Sequence, residues 1–142
     1  MNGTSEDMLA FGRAVLEAQP FSRLIGAELT RFERGRAELS LPLRRDHLQQ
    51  HGIVHGGVLS YLADNALTYA GGSVLGDVVT LEFKINYLKP ATGTQLVARA
   101  RVTGSGKSQA VCHCDIFALD GKGTERLCAT AQGTIWKRQS QS

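Results

Sequence analysis

The chain has 142 residues, of which 42% are hydrophobic and 20% are charged. This length predicts one domain with a core of its own, and the composition excludes wholesale disorder. Lys and Arg number 16 against 13 Asp and Glu, a formal net charge of +3. So weak and dispersed a charge argues against a protein that binds duplex nucleic acid, and it suits a small anionic ligand. Because no run of about 20 apolar residues is present, a membrane span is excluded.

The first residues predict a cytoplasmic protein that begins with a helix. Residues 1–7 do not place a basic segment before an apolar one, so no secretory signal is expected. The three cysteines have no framework spacing and are expected to be reduced thiols. Ser5, followed by two acidic residues, indicates a helix start, and Pro20 ends that helix. We therefore expect an N-terminal helix within residues 1–20 of a single domain covering 1–142.

The middle of the chain contains its longest helical pattern. Residues 29–41 predict two short strands separated by Gly35. From about Gly56 to Ser73, apolar residues recur at helical spacing and cover nearly the whole circumference. A helix that is apolar on almost every side is predicted to be buried.

After this helix, the period of the apolar residues changes to two. Residues 79–87, 96–102, 110–118 and 127–135 alternate between apolar and polar, and glycine-containing turn sequences separate them. Four consecutive strands predict an antiparallel meander. The fold class is therefore α+β, with a curved antiparallel sheet wrapped around one helix, and residues 137–142 are expected to form a frayed tail.

Asp64 is the one formally charged side chain in the long helix. A buried carboxylate is costly without a partner, and Asp is a poor residue for a helix interior. Thr68 at i+4 and Ser60 at i−4 lie on the same helix face, and a carboxylate beside a hydroxyl can hold and activate water. The alternatives are an Asp64 that faces solvent or is neutralised by Arg44 or Arg45, and a Thr68 hydroxyl bonded back to its own helix.

The sequence His55-Gly56-Gly57 opens the same helix. Bare amides at a helix N-terminus favour negative charge and are what an oxyanion hole requires. Alternatively, the two glycines only permit close packing of a strand against the helix. For His55, three roles remain open at this point: orienting the loop, polarising a carbonyl, or capping the helix.

Several other patterns are not expected to form sites. His51 and His55 have metal-ligand spacing but precede the helix and have no third ligand, so no metal is expected. Cys112 and Cys114 share one strand face, which indicates core packing. Residues 106–108 resemble the end of a P-loop but lack its first glycine and its following helix.

Three stretches of the sequence are informative together: Gln49-x-x-Gly52-x-x-His55-Gly56-Gly57, then Leu62-Ala63-Asp64-Asn65-Ala66, and the strand TLEFKINYLKPA at 80–91. They resemble the signature of hotdog-fold acyl-CoA thioesterases of the phenylacetyl-CoA thioesterase type, the PaaI-like family. The resemblance extends over residues 21–136 and implies a long helix enclosed by a curved antiparallel sheet. The periodicities predict the same arrangement independently.

The resemblance also implies roles for individual residues. Asp64 would be the catalytic carboxylate, either as a general base on water or as a nucleophile. The Gly56 amide would bind the thioester oxygen, and His55 would brace the loop. Thr68 and Thr80 are the hydroxyls that the family places near the carboxylate.

Gln49 departs from the commonest pattern of the resemblance. Many phenylacetyl-type members carry Asn at this loop position, whereas a 4-hydroxybenzoyl-type branch carries Gln there with Glu on the helix. This chain combines Gln49 with Asp64. By resemblance, Gln49 would position the carbonyl or the water.

The implied substrate is an acyl-CoA, whose acyl group is either aromatic or of short to medium chain length, with no separate cofactor and no metal. The family builds its sites across a dimer interface, and dimers often pair into tetramers, so a homodimer or a dimer of dimers is expected. Coenzyme A phosphates require cations, for which Lys89 and the Lys107-Ser108 turn are candidates. An apolar acyl pocket is expected near Tyr61, Leu62, Phe83 or Tyr87. The remaining expected substrate-binding residues are Gly57 and Asn65.

Two other functions stay open. An acyl-thioester dehydratase on the same fold would pair His55 with Asp64, but the Gly-Gly spacing fits the thioesterase better. A non-catalytic acyl-CoA-binding module would have no need for an unpaired carboxylate in an apolar helix.

Overall fold

The computed structural model describes residues 4–139, in which the long apolar helix lies against one face of a curved six-stranded antiparallel sheet. This confirms the predicted α+β architecture. The helices are α1 (Ser5–Glu17), α2 (Pro20–Ile25) and α3 (Gly56–Leu75), and the strands are β1 (Glu28–Glu33), β2 (Arg36–Pro42), β3 (Val78–Tyr87), β4 (Gln95–Ser105), β5 (Gln109–Leu119) and β6 (Glu125–Lys137).

The order of the strands differs from the predicted meander. Across the sheet the order is β1-β2-β4-β5-β6-β3. Of the four strands predicted to form the meander, only β4, β5 and β6 are consecutive antiparallel neighbours. β3 pairs with β6 at the edge of the sheet, where Phe83 lies opposite Gly133, and the chain crosses the sheet between β3 and β4. The prediction that β3 precedes β4 in a meander was therefore wrong. This crossing places β3 beside α3, and so beside the carboxylate of that helix.

The N-terminal region contains two helices rather than one. Thr4, not Ser5, caps α1, and its side chain accepts a hydrogen bond from the Asp7 amide at 3.2 Å in a capping box. Pro20 follows the end of α1 as expected, but it also starts α2, since proline suits the first helical position. Gly26 ends α2 with φ of 91°, a conformation that favours glycine. Residues 1–3 lie outside the described part.

The core lies between α3 and the sheet. The inward face of α3 is fully buried, and the inward residues of β4, β5 and β6 cover it. Gly71 permits the closest approach, because a Cβ there would lie 2.6 Å from Ile135 Cβ on β6. Cys112 and Cys114 are buried and unpaired in this core, as predicted.

The last strand extends one residue into the expected tail. Lys137, expected in a frayed tail, belongs to β6, and its amide donates to the Ser108 carbonyl at 2.8 Å. Residues 140–142 of that expected tail lie outside the described part.

At the sheet edge, β3 leaves apolar side chains in solvent, with Val79 47% and Leu81 62% exposed. In residues 4–139, no helix has both the length and the hydropathy needed to cross a membrane.

Candidate active site

Asp64 occupies the middle of α3 and is half-buried. Its Oδ1 accepts a hydrogen bond of 2.6 Å from the Thr80 hydroxyl on β3. The Thr68 hydroxyl donates to the Asp64 main-chain carbonyl at 2.7 Å and lies 2.9 Å from the Thr80 hydroxyl. The three expected residues therefore meet in one cluster. The alternative proposed for Thr68, a bond back to its own helix, is also realised.

No cation pairs with Asp64 among the residues that the structure describes. The guanidinium of Arg44 instead donates to the carbonyls of Leu24 and Ile25, and its ion-pair partner is Asp46 at 3.9 Å. Ser60, the other hydroxyl considered, lies 2.7 Å from the Tyr87 hydroxyl and makes no bond to Asp64. Within the described residues, the carboxylate thus has no basic partner, and one hydroxyl, that of Thr80, donates to it.

A pocket of about 450 Å³ opens beside this cluster. One wall comes from α3, and the other comes from the end of α1 and the start of α2. No lysine, arginine or histidine lines it. The lining residues are Ala18, Gln19, Pro20, Phe21, Ser22, Tyr61, Asp64, Asn65 and Thr68.

Hydrogen bonds between α2 and α3 organise this pocket. The Tyr61 hydroxyl donates to Ser22 Oγ at 2.6 Å, and Ser22 Oγ donates to Gln19 Oε1 at 2.6 Å. Asn65 Nδ2 donates to the Tyr61 hydroxyl at 3.1 Å. Tyr61 and Asn65, expected to bind substrate, do line the pocket beside Asp64. Leu62, expected near the acyl group, is instead fully buried in the core.

His55 caps α3. Its Nδ1 accepts a 2.8 Å hydrogen bond from the Gly57 amide, which satisfies one of the free donors at the helix start. The Gly56 amide has no acceptor within residues 4–139, while its carbonyl accepts from the Tyr87 hydroxyl at 3.0 Å. Of the two glycine amides, Gly56 is therefore the one left to bind a ligand oxygen.

Gln49 belongs to the loop before α3. Its Oε1 accepts from the His51 amide, so the side chain folds over its own loop, and its main-chain amide donates to the Ile53 carbonyl at 2.9 Å. The loop is tied to the body of the domain by His47, which is buried and bonds through Nε2 to the Ile25 carbonyl at 2.7 Å. Gln49 does not line the Asp64 pocket of its own chain.

The Gly56 amide and the Asp64 carboxylate do not meet within one chain. Both lie on the continuous helix α3, eight residues apart, which corresponds to about 12 Å along the helix axis. One thioester carbonyl cannot contact both groups of the same chain. His55 is a further residue away, so the His55–Asp64 pair that a dehydratase would need is equally absent within the chain.

The candidate cations lie far apart. Lys89 lies just after the last residue of β3, Tyr87, which bonds to Gly56 at the start of α3. The Lys107-Ser108 turn is near the other end of β3, because the Ser108 carbonyl accepts from Lys137, and Lys137 pairs with Val78, the first residue of β3. The nine-residue length between these points of β3 corresponds to about 30 Å. Arg99, also basic, is already paired with Glu38 and Glu125.

Sequence reasoning missed the contribution of α2 to the site. Gln19, Phe21 and Ser22 line the pocket, but the short helix carries no apolar periodicity to draw attention to them. The available signal was Pro20 followed by Gly26, a proline at a helix start and a glycine just past its end.

Comparison with known proteins places the fold in a known group. The family model described as "Thioesterase superfamily" matches residues 51–125. A protein of Saccharolobus solfataricus named "Putative esterase" is 35% identical over 122 residues, which cover 84% of this chain and 79% of its own. Acyl-coenzyme A thioesterase 13 of Pongo abelii is 27% identical over 138 residues, 94% of this chain and 96% of its own.

Solved structures agree with this grouping. A thioesterase family protein from Silicibacter pomeroyi superposes with a TM-score of 0.84 at 33% identity, covering 94% of this chain and 97% of its own. The PaaI protein of the E. coli phenylacetic acid degradation operon superposes with a TM-score of 0.83 over 97% of this chain and 98% of its own. At 24% identity, that likeness concerns the fold alone.

Proposed function

Because this chain belongs to the thioesterase superfamily, we propose that it hydrolyses an acyl-CoA thioester to the free acid and coenzyme A. The observation that carries the proposal is the Asp64 carboxylate, which lines a pocket, is held by Thr80, and has no cation beside it in the described residues. An unpaired carboxylate is costly to bury, and Asp is a poor residue for a helix interior. Such exceptions to the ordinary preferences of folding concentrate at functional sites.

The reaction requires a base or nucleophile, an oxyanion donor and a good leaving group. In the general-base route, Asp64 takes a proton from water as the water oxygen attacks the thioester carbon. The oxyanion is stabilised by the Gly56 amide, the C–S bond then breaks, and the thiolate recovers the proton. In the nucleophilic route, Asp64 attacks first, thiolate leaves, and water hydrolyses the resulting anhydride. Neither route needs a metal or another cofactor.

The separation within α3 supports a site shared between two subunits. Since about 12 Å of helix divides Gly56 from Asp64, the amide that serves one Asp64 must come from a second copy of the chain. The exposed apolar side chains of the edge strand β3 favour such a pairing, because an unprotected apolar strand edge is a surface for another chain. We therefore propose a homodimer, which a second dimer can join as a tetramer.

The loop and the lysines complete the proposal. With its Oε1 occupied by the His51 amide, Gln49 has its NH₂ group left to donate to a carbonyl of the partner-bound substrate. Lys89, two residues after Tyr87, which bonds to Gly56, lies at the same end of α3 as Gly56, and there it would meet the phosphates of a bound coenzyme A. Lys107 and Ser108, at the opposite end, would serve a coenzyme A that crosses from another subunit.

The test is release of free thiol from a panel of acyl-CoA esters by the wild-type protein and by Asp64→Asn. The substitution preserves shape and leaves an amide oxygen for the Thr80 hydroxyl. We expect turnover to fall at least about 100-fold, the usual contribution of a general base. Asp77→Asn is the matched control, since Asp77 is exposed and pairs with Arg138 at 3.3 Å, away from the pocket.

Two results would overturn the proposal. If wild-type protein binds acyl-CoA but releases no thiol from any ester, the chain is a binding module. If Asp64→Asn keeps full turnover, the reaction does not depend on this carboxylate. Hydration of an enoyl-CoA without thiol release would indicate the dehydratase instead.

A further inference from the structure

We propose that Phe21, packed against Tyr61, determines the length of the acyl group that this enzyme accepts. The inference rests on the proposed thioesterase function and assigns a specificity role to α2, the short helix that precedes the sheet. The two rings meet edge to face, with centroids 5.4 Å apart, and both line the pocket that contains Asp64.

The lining of this pocket suits the acyl end of the substrate. Ala18, Pro20, Phe21 and Tyr61 supply apolar surface, and the one charged lining residue is the Asp64 carboxylate. The phosphates of coenzyme A carry negative charge and would be repelled there, because no cation offsets that carboxylate. A hydrocarbon group gains by leaving water for such a surface.

Apart from the Asp64 carboxylate, the polar side chains between α2 and α3 in the same pocket are bonded to one another. The Tyr61 hydroxyl is held by Ser22 at 2.6 Å and by Asn65 at 3.1 Å, and Ser22 is in turn bonded to Gln19 at 2.6 Å. These bonds fix the Tyr61 ring, since rotation would break two of them. The ring is therefore a rigid part of the pocket rather than an adaptable donor.

Tyr61 lies three residues before Asp64 on α3, so both side chains project from one face of the helix, with Cβ atoms about 5–6 Å apart. An acyl chain that runs from Asp64 toward the start of α3 meets the Tyr61 ring within about one helical turn. Phe21 stands against that ring. It is 57% exposed and belongs to the second position of α2, so its ring closes the pocket from the solvent side.

Phe21→Ala removes the ring that closes the pocket and leaves Tyr61 bonded in place. We expect the optimum chain length to move upward. Each additional methylene that the opened pocket accommodates should raise kcat/KM about fourfold, the effect of burying one methylene. Short acyl groups that never reach Phe21 should keep their wild-type kcat/KM.

The experiment measures kcat/KM for straight-chain saturated acyl-CoA esters from butanoyl to hexadecanoyl with wild type, Phe21→Ala and Phe11→Ala. Phe11 is the matched control, because it is a phenylalanine of similar exposure, 54%, that lies on α1 and does not line the pocket. Thermal unfolding of each variant checks that the exposed ring is not needed for folding.

A shift of the optimum to longer chains in Phe21→Ala alone, with a long-to-short ratio at least tenfold above wild type (about two methylenes), supports the proposal. An unchanged profile overturns it. A loss by the same factor for every ester also overturns it, because the pocket then holds the pantetheine arm common to all of them. Absence of turnover in wild type is a separate result, which refutes the thioesterase function itself.

Discussion

Replacing Thr80 or Thr68 by valine tests how the carboxylate is held. Valine has nearly the same shape as threonine but no hydroxyl. In Thr80→Val, Asp64 Oδ1 loses its 2.6 Å donor, which is a hydrogen bond to a charged group. In Thr68→Val, that bond survives, and the bond lost is the neutral one of 2.7 Å to the Asp64 carbonyl.

The two hydroxyls have two protons to share among three contacts. If Thr80 donates to the carboxylate, its proton is used, and Thr68 has a single proton for the Asp64 carbonyl and the 2.9 Å contact with Thr80. A hydrogen bond to a charged group contributes about 1.5–3 kcal/mol, and a neutral one contributes about 1 kcal/mol. We therefore expect kcat to fall about 10- to 150-fold in Thr80→Val and about fivefold in Thr68→Val.

The assay is thiol release at saturating and limiting acyl-CoA for both single variants and the double variant. KM should change little, because Thr80 does not line the pocket, and the Thr68 hydroxyl, although Thr68 lines it, is bonded to the Asp64 carbonyl. Since the residues act as one chain of hydrogen bonds, the double variant should lose little more than Thr80→Val alone. Equal losses in the two single variants, or a larger loss in Thr68→Val, would refute this account of how Asp64 is oriented.

Three further predictions concern the scaffold. Gly71→Ala places a methyl group 2.6 Å from Ile135 Cβ and should lower the free energy of unfolding by about 1–3 kcal/mol. Gly72→Ala is the control and should be neutral or stabilising, because the nearest neighbour of the added methyl group lies at 3.5 Å. If chemical denaturation shows the reverse order, the packing of α3 against β6 is contradicted. His47→Ala removes a buried ring bonded at both nitrogens and should cost about 2–4 kcal/mol, while His51→Ala, at an exposed position, should leave the melting temperature within a degree or two. Burial raises the pKa of Cys112 and of Cys128 to about 11 and also raises the pKa of Cys114, so none of the three thiols should react with a thiol reagent at pH 8 until the protein is unfolded. Labelling of the native protein would show that this core opens.

The sequence predicts the elements of this fold better than their arrangement. The apolar circumference of α3 and the alternation in β3 to β6 each reflect burial within one segment, so they can be recognised locally. The pairing of β3 with β6 joins strands that are separated by two others, and alternation of residues shows only which face is buried, not which strand lies alongside. Short turns between the four strands predict a meander. That prediction is wrong for β3, because the chain crosses the sheet between β3 and β4.

The same distinction applies to the site. The cap formed by His55 and the free amide of Gly56 follow from residues that are neighbours in sequence, and Asp64 is conspicuous because its charge interrupts an apolar helix. The Thr80 hydroxyl reaches Asp64 only because β3 has crossed the sheet, and Phe21 reaches Tyr61 only because α2 folds back onto α3. Sequence can therefore identify the groups that carry out the proposed chemistry, whereas the groups that orient the carboxylate and line the proposed acyl pocket depend on contacts between distant segments. By the same reasoning, the separation of about 12 Å between the Gly56 amide and the Asp64 carboxylate within one chain supports the proposal that a second chain supplies the oxyanion donor.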